Sequence, residues 1–224
     1  MAASASASTV PPARFDRVAA IYRPGEYLSF GPMLERCRFC FVPDLARSRR
    51  ALVLGDGDGR FLARLLAATP VLHARAVDAS PAMLRQLRAR AVRRGAAARL
   101  TAICADIRSF TPSGGNYDLV ATHFFLDCLT PAEADSLVAR LRPHLAPGAL
   151  WVVSEFDIPA NAPLRAALFR FVIAGLYAAF RLLTGLAVRQ IPPWRASLAR
   201  AGFVLRSSRS WLGGLLVSEL WQLL

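Results

Sequence analysis

The sequence contains no lysine: its 28 basic residues are all arginine, and with 15 acidic residues they give a net charge of +13. The missing lysine and the abundant alanine are typical of a GC-rich genome. A positive chain can attract an anionic partner such as RNA, an acidic substrate or an acidic membrane surface in peripheral contact. The arginines are scattered, however, which favours solvated helix faces, so we do not expect a nucleic-acid partner.

Cysteine is also scarce, with four residues in the chain. Cys37 and Cys40 form one CxxC pair, but no second cysteine or histidine pair follows with the spacing of a zinc site. Cys104 and Cys128 fall in or beside predicted buried strands. The pattern therefore predicts no metal site and indicates free, buried thiols in a reducing cytoplasm.

Long apolar runs are missing as well. Residues 1–13 contain no stretch suited to a signal peptide, so we expect a disordered leader and a cytoplasmic location. The most hydrophobic segment, Leu164–Val188, is interrupted by Arg170 and Arg181, and its uncharged centre is shorter than the ~20 residues of a membrane span. It is predicted to be a core or lid helix.

The 224 residues, 54% of them hydrophobic, suit one α/β domain. From residue 50 onward, strand-like and helix-like runs alternate, which predicts a mostly parallel sheet with helices on both faces. The predicted strands are Ala51–Leu54, His73–Asp78, Leu100–Cys104, Tyr117–Thr122, Ala149–Ser154, Phe203–Ser207 and Leu215–Leu220. The predicted helices are Arg60–Ala68, Pro81–Arg94, Pro131–Leu145 and Pro193–Ala201, preceded by a short helical cap over residues 14–49.

The first predicted strand runs directly into a glycine-rich loop. Its glycines allow a ligand to approach the backbone closely. The spacing is GxGxG, because Arg60 stands where the dinucleotide fingerprint has its third glycine. Asp56 and Asp58 in the loop would repel a pyrophosphate but suit S-adenosylmethionine (SAM), which carries a sulfonium and an ammonium group. The loop glycines are Gly55, Gly57 and Gly59.

Two further carboxylates follow the next two predicted strands. Asp78 can accept hydrogen bonds from ribose hydroxyls, although a helix-capping role is the alternative. Asp106 can accept one from an adenine amino group, with Ile107 packed on the ring. The carboxyl ends of parallel strands meet at one edge of a sheet, so the sequence predicts one crevice there.

In this order, LGDGDGR, VDASPAML, CADIRSF and YDLVATHFFLDCL resemble the motifs of the class I SAM-dependent methyltransferase superfamily, over residues 50–224. The resemblance implies a Rossmann-like α/β fold, with a seven-stranded, mostly parallel sheet and an antiparallel last strand. It also implies a single domain over 14–224, with a SAM-binding core at 50–155 and a substrate-side insert and final strands at 156–224. Ala79 and Met83 would join the cofactor pocket.

Residues 14–31, RFDRVAAIYRPGEYLSFG, resemble the start of ubiquinone and menaquinone C-methyltransferases, where a similar pattern covers the SAM pocket. Tyr22 is therefore a candidate substrate residue. THFFLDCL does not match those enzymes, so their substrate is not carried over. The superfamily also often has an acidic residue where this chain has Val53. Asp56 could supply that charge; otherwise a SAM-binding protein without turnover is the alternative.

Methyl transfer from SAM is an in-line displacement, and a base is needed only if the acceptor loses a proton. His123 and Asp127 are four residues apart, so one helical turn would point both toward the acceptor as candidate catalytic residues. The alternatives are a structural histidine and a capping or loop aspartate. Glu155 and Asp157, at the end of the fifth predicted strand, are further candidates near the substrate.

The acceptor is expected to be a small, hydrophobic molecule of quinone, phenol or lipid type. An apolar pocket could be walled by aromatic side chains of the segment after the fifth strand, although such residues can also be plain core. An RNA methyltransferase is the alternative, but the chain lacks the Asn/Asp-Pro-Pro-Tyr/Phe and Pro-Cys motifs and an RNA-binding module. No oligomeric state is predicted. The aromatic residues in question are Phe169, Phe171, Tyr177 and Phe180.

Overall fold

The computed structural model of the chain describes residues 32–159, 163–184 and 191–224. The predicted leader, the motif at 14–31 with Tyr22, and the side chain of Phe180 lie outside these residues.

Seven strands form one sheet with the order β3-β2-β1-β4-β5-β7-β6. β1 to β5 run parallel to one another, whereas β7 is antiparallel to both β5 and β6. The expected mostly parallel sheet with an antiparallel last strand is confirmed. The strands are β1 (Arg50–Leu54), β2 (His73–Asp78), β3 (Leu100–Cys104), β4 (Tyr117–His123), β5 (Leu145–Phe156), β6 (Phe203–Trp211) and β7 (Leu216–Leu223).

The helices cover both faces of this sheet. Two of them begin at side-chain caps: Ser80 accepts a hydrogen bond from Met83 N, and Thr130 and Glu133 form a capping box. The helices are α1 (Met33–Phe39), α2 (Arg60–Ala68), α3 (Pro81–Arg93), α4 (Pro131–Leu141), α5 (Pro163–Thr184) and α6 (Trp194–Arg200).

The helix predicted over Pro131–Leu145 is shorter than expected. It ends at Leu141, a 3₁₀ turn spans Arg142–His144, and β5 already begins at Leu145. Pro143 explains the early end, because it has no N–H group to donate the next helical hydrogen bond.

Two hydrophobic cores lie on opposite faces of the sheet. Phe61 and Leu65 of α2 pack with Val53 on one face, and Leu137 of α4 and Leu198 of α6 pack with the other. On this second face Trp151 is fully buried, and its indole N–H donates to Thr122 Oγ1 at 3.0 Å. These cores hold the strands in place, so that the carboxyl ends of β1, β2, β4 and β5 lie together at one end of the sheet.

The long helix α5 has one buried face, formed by Ala166, Phe169, Ile173 and Tyr177. Phe171 is 80% exposed, so the expectation that it walls a pocket is wrong: it lies two residues from Phe169, on the other side of the helix. Among the described residues, no helix is long and apolar enough to cross a membrane.

The cysteines differ from expectation at one position. Cys37 is buried and Cys40 and Cys128 are partly buried, but Cys104 is exposed, because β3 is the outer strand of the sheet. Within the described ranges, no group of His, Cys, Asp or Glu side chains could hold a metal ion.

Candidate active site

The glycine-rich loop joins β1 to α2 at the carboxyl end of the sheet. Its three glycines all have positive φ, at 63°, 58° and 80°. A Cβ at Gly59 would lie 2.7 Å from Leu87 Cβ, so this glycine lets α2 and α3 approach. At Gly57 the nearest atom to such a Cβ would be Met83 Sδ, at 3.8 Å. The backbone at Gly57 is therefore open to a ligand.

Asp56 is bound to the start of α2. Its Oδ2 accepts a hydrogen bond from Leu62 N at 2.9 Å, whereas Oδ1 is buried and has no partner among the described groups. Burial raises the pKa of Asp56 to about 7. The carboxyl group thus occupies the helix N-terminus where a dinucleotide phosphate would bind, with one oxygen bound to the helix and the other without a partner among the described residues.

The Asp58 carboxylate also binds groups of the protein itself, through two ion pairs. Its Oδ1 lies 3.1 Å from Arg60 Nε and its Oδ2 lies 2.6 Å from Arg90 Nη2. Since Arg90 belongs to α3, this carboxylate connects α2 to α3. The two loop carboxylates therefore stabilise the loop itself, which is a role the sequence pattern does not distinguish from ligand binding.

Asp78 lies at the end of β2, directly beside the loop. Its Oδ2 accepts from Gly57 N at 3.3 Å and its Oδ1 accepts from Ser80 N at 2.8 Å, and the residue is partly exposed. Ala79 is exposed next to it, and Met83 is buried below. A carboxylate oxygen can accept a second hydrogen bond, so Asp78 can hold the loop and still bind hydroxyl groups.

Asp106 follows β3, the neighbour of β2 in the sheet. Its Oδ1 accepts from Arg108 N at 2.9 Å and its side chain is 42% exposed, while Ile107 is buried. β2 and β3 are paired in register, with Asp78 opposite Cys104. The predicted cofactor residues after β1, β2 and β3 therefore share one edge, and the open backbone at Gly57 fits the close approach of a ligand such as SAM.

His123 does not share a helical turn with Asp127, and that expectation is wrong. His123 is the last residue of β4, Phe124 then adopts a φ of 53°, and a 3₁₀ turn begins only at Leu126. The His123 ring packs on Phe61 at 4.1 Å between centroids, and its Nδ1 lies 2.8 Å from Ser154 Oγ. Burial and the charge of Arg38 hold its pKa well below the usual range.

Asp127 lies instead in the turn that Glu155 holds. Glu155 is completely buried at the end of β5, and its Oε1 accepts from Phe125 N at 3.0 Å and from Leu126 N at 2.7 Å. Burial and the Asp127 charge raise the pKa of Glu155 well above its usual range, while burial raises the pKa of Asp127 to about 6. Because each negative charge disfavours the other, the two carboxyl groups take up protons as a pair.

Tyr177 brings α5 to the same group of side chains. Burial raises the pKa of its hydroxyl, and the charges of Asp127 and Glu155 raise it further. Among the described residues, both the Tyr177 hydroxyl and Glu155 Oε2 are buried without a hydrogen-bond partner. Buried polar atoms are nearly always paired in native proteins, so these two atoms indicate a ligand or water position.

An apolar cleft of about 370 Å³ lies next to this cluster. Ile158 and Ile191 line it, and the same two residues pack against the cluster of Phe169, Ile173 and Tyr177. Asp157 also lines the cleft, but its carboxylate forms a two-pronged ion pair with Arg195, at 2.7 and 3.1 Å. The Asp157 carboxylate therefore has a cationic partner, whereas Glu155 Oε2 has no partner among the described residues.

Phe125 is a residue that sequence reasoning did not single out. Its ring fills the space in front of Gly55, where a glycine Cβ would be 2.1 Å from Phe125 Cδ2. The sequence contained one signal for such a role: Phe125 follows β4 in the same motif as the candidate base.

Comparison with known proteins identifies the class of this fold and site. A family model described as a methyltransferase domain matches residues 51–148, from β1 to the turn in β5. No curated protein sequence matches the chain.

Solved structures with the same fold cover nearly the whole chain. An O-methyltransferase family protein from Burkholderia thailandensis has a TM-score of 0.70, 20% identity, and coverage of 93% of this chain and 60% of its own. An O-methyltransferase family 2 protein from Planctomyces limnophilus, in complex with apigenin, has a TM-score of 0.68, 17% identity, and coverage of 92% and 62%.

The SAM-dependent methyltransferase SibL, in its apo form, has a TM-score of 0.64, 21% identity, and coverage of 96% and 63%. The chain thus spans about 60% of the length of these structures, and at these identities the likeness establishes the fold. The family match identifies residues 51–148 as a methyltransferase domain, and the solved structures show that the chain shares the fold of these methyltransferases.

Proposed function

We propose that the chain transfers a methyl group from SAM to a hydroxyl group of a small, hydrophobic acceptor of phenol or quinol type, in the cytoplasm. The observation that carries this proposal is the pair of buried, unpartnered polar atoms, Glu155 Oε2 and the Tyr177 hydroxyl, beside Asp127. They lie next to an apolar cleft, which supports an acceptor position there.

The cofactor would be held by the loop Gly55–Gly59 together with Asp78, Ala79, Met83, Asp106 and Ile107. When bound, SAM supplies an electrophilic methyl group on a positive sulfur. Asp78 would accept hydrogen bonds from the ribose, and Asp106 from the adenine amino group. Asp56 contributes by capping α2, so its part in cofactor binding is to shape the loop.

Asp127 is the proposed base. With a pKa of about 6 it is ionised at pH 7 yet still basic enough to take a proton from an acidic hydroxyl such as a phenol. His123 is a weaker candidate, since its ring is buried on the opposite face of the sheet with Phe61 and its pKa is low. Its proposed role is structural, through Ser154.

Glu155 and Tyr177 would orient the acceptor. Glu155 would hold the turn that carries Asp127 through Oε1, and Oε2, which has no partner among the described residues, would hydrogen-bond the acceptor. The Tyr177 hydroxyl can donate a second hydrogen bond. Phe169, Ile158 and Ile191 would contact the apolar body of the acceptor. The apigenin complex of the Planctomyces limnophilus protein supports a small-molecule acceptor for this fold.

The test begins with calorimetric titration of the purified chain with S-adenosylhomocysteine, with NADH as the control. Binding of S-adenosylhomocysteine alone supports the cofactor, and methyl transfer is then measured with phenol, quinol and lipid acceptors. Absence of S-adenosylhomocysteine binding by a folded chain would overturn the proposal. Binding without transfer to any acceptor would favour a SAM-binding protein without turnover.

A further inference from the structure

We propose that the solvent-facing side of α5 docks on the surface of an anionic phospholipid bilayer. Three large apolar side chains carry this inference: Leu164 is 88% exposed, Leu168 57% and Phe171 80%. We call these three residues the α5 stripe. They are spaced four and three residues apart, so they lie on one face of the helix.

Helix α5 carries apolar side chains on both its buried face and its exposed face. The buried face, with Phe169 and Ile173, packs on the protein, and the α5 stripe lies opposite it. Successive helix residues are about 100° apart, which puts Arg165 and Arg170 on the two flanks between these faces. Both arginines are exposed. An apolar stripe with arginine on both flanks is the arrangement of a helix that lies in a bilayer interface.

The charge of this part of the chain matches an anionic partner. Between Asp157 and Glu219 the sequence has eight arginines and no acidic residue. In the described part of the chain, Arg195 and Arg200 are paired with carboxylates, but Arg165 and Arg170 have no carboxylate partner. Each such free positive charge favours binding to acidic lipid headgroups.

The size of the stripe favours a membrane over a protein partner. Three side chains expose at most a few hundred Å², whereas a specific, stable protein interface buries about 1,200 Å² or more. A bilayer needs no complementary shape and gains affinity from both the apolar and the basic residues. A second copy of this chain is therefore the less favoured occupant.

Docking would also bring the acceptor site toward the lipid. Phe169 and Tyr177, on the other face of the same helix, belong to the proposed acceptor site. An acceptor dissolved in the bilayer could then enter from the membrane side. This link to the substrate rests on the proposed function, but the docking itself does not.

The test is co-sedimentation of the full chain with vesicles, without cofactor or acceptor. We expect binding to vesicles of phosphatidylglycerol and phosphatidylcholine, weak binding to phosphatidylcholine alone, and a loss of binding at high salt. Leu164→Ser with Phe171→Ser should abolish binding. Arg165→Gln with Arg170→Gln should weaken it roughly 25-fold, at about fivefold per arginine.

Matched controls change the same residue types on α3. Val92→Ser removes another exposed apolar side chain, and Arg85→Gln with Arg93→Gln removes two exposed charges; both should keep vesicle binding. Circular dichroism verifies that each variant is folded. The inference is overturned if the folded chain ignores anionic vesicles, or if the α3 controls lose as much binding as the α5 variants.

Light scattering provides the remaining outcome. A dimer in solution that Phe171→Ser converts to a monomer would assign the α5 stripe to a second copy instead, and would also overturn the inference. S-adenosylhomocysteine titration without vesicles reports the cofactor site separately, so failure of docking and failure of the proposed function are distinguishable.

Discussion

The Phe125 ring lies so close to Gly55 that a Cβ at this glycine would be 2.1 Å from Phe125 Cδ2. The backbone N–H of the same phenylalanine donates to Glu155 Oε1 at 3.0 Å. Phe125 therefore connects the glycine loop after β1 to the carboxyl pair on the acceptor side. A substitution in the glycine loop should therefore also disturb the carboxyl pair, and the reverse.

Gly55→Ala tests this contact. The alanine would have to adopt a φ of +63° and would overlap Phe125, so we expect the free energy of unfolding in urea to fall by about 2–4 kcal/mol. S-adenosylhomocysteine binding should be lost. Gly95→Ala is the matched control, because Gly95 has a φ of +64° but no atom within 4 Å of its Cβ position. Equal losses at both glycines would contradict a role for Phe125.

Asp56→Asn should stabilise the protein at pH 8. The pKa of Asp56 is raised to about 7 in the folded state, so the native chain holds this proton more tightly than the unfolded chain between about pH 4 and pH 7. Stability from this group is therefore present at low pH and is lost as the pH rises through 7. Asparagine keeps a cap for Leu62 N without a buried charge.

The expected gain for Asp56→Asn at pH 8 is roughly 2–4 kcal/mol, shrinking toward pH 4, in urea unfolding curves measured across this range. Asp44→Asn, at an exposed carboxylate, should change little. If the variant is less stable at pH 8, or loses affinity for S-adenosylhomocysteine, the result would support the cofactor-binding role that the sequence predicts for Asp56.

Asp78→Asn should weaken S-adenosylhomocysteine binding by about 1.5–3 kcal/mol, because it removes a charged acceptor of the ribose hydroxyls. Calorimetry gives the affinity directly. Asparagine keeps the shape of the side chain, but its one oxygen can accept from only one of Gly57 N and Ser80 N. Asp44→Asn again provides the control. Unchanged affinity at position 78 would remove this residue from the cofactor site.

Asp127→Asn should lower kcat by about 10²–10⁴-fold while leaving S-adenosylhomocysteine affinity intact, since it removes the proposed base. In the unchanged chain, kcat/KM should fall as the pH drops below about 6, where Asp127 takes up a proton. His123→Gln should keep that midpoint. If His123→Gln instead removes the pH dependence, the histidine is the base.

Tyr177→Phe should raise KM for the acceptor about 2–10-fold, because it removes one hydrogen bond to the acceptor. Its free energy of unfolding should stay the same or increase, since the hydroxyl is buried without a partner among the described residues. Tyr117→Phe is the control at a hydroxyl that donates to Ser113 O. There we expect a small loss of stability and no change in KM.

Much of the architecture could be predicted because it depends on local sequence. The predicted ranges of β2 and β3 agree with the structure, and the start of α3 follows from Ser80 and Pro81. The end of β4 could not be predicted, because the positive φ of Phe124 is unusual for a bulky residue. That one backbone angle separates His123 from Asp127.

The sequence by itself determined the order of strands and helices, the glycine loop after β1, and the carboxylates at the ends of β2 and β3, because periodicity, caps and turns act within a few residues. What those side chains contact depends on how the elements pack together. Asp56 binds the start of α2, and Asp127, Glu155 and Tyr177 meet from three distant segments. Such meetings depend on strand register and helix packing, which no local pattern specifies.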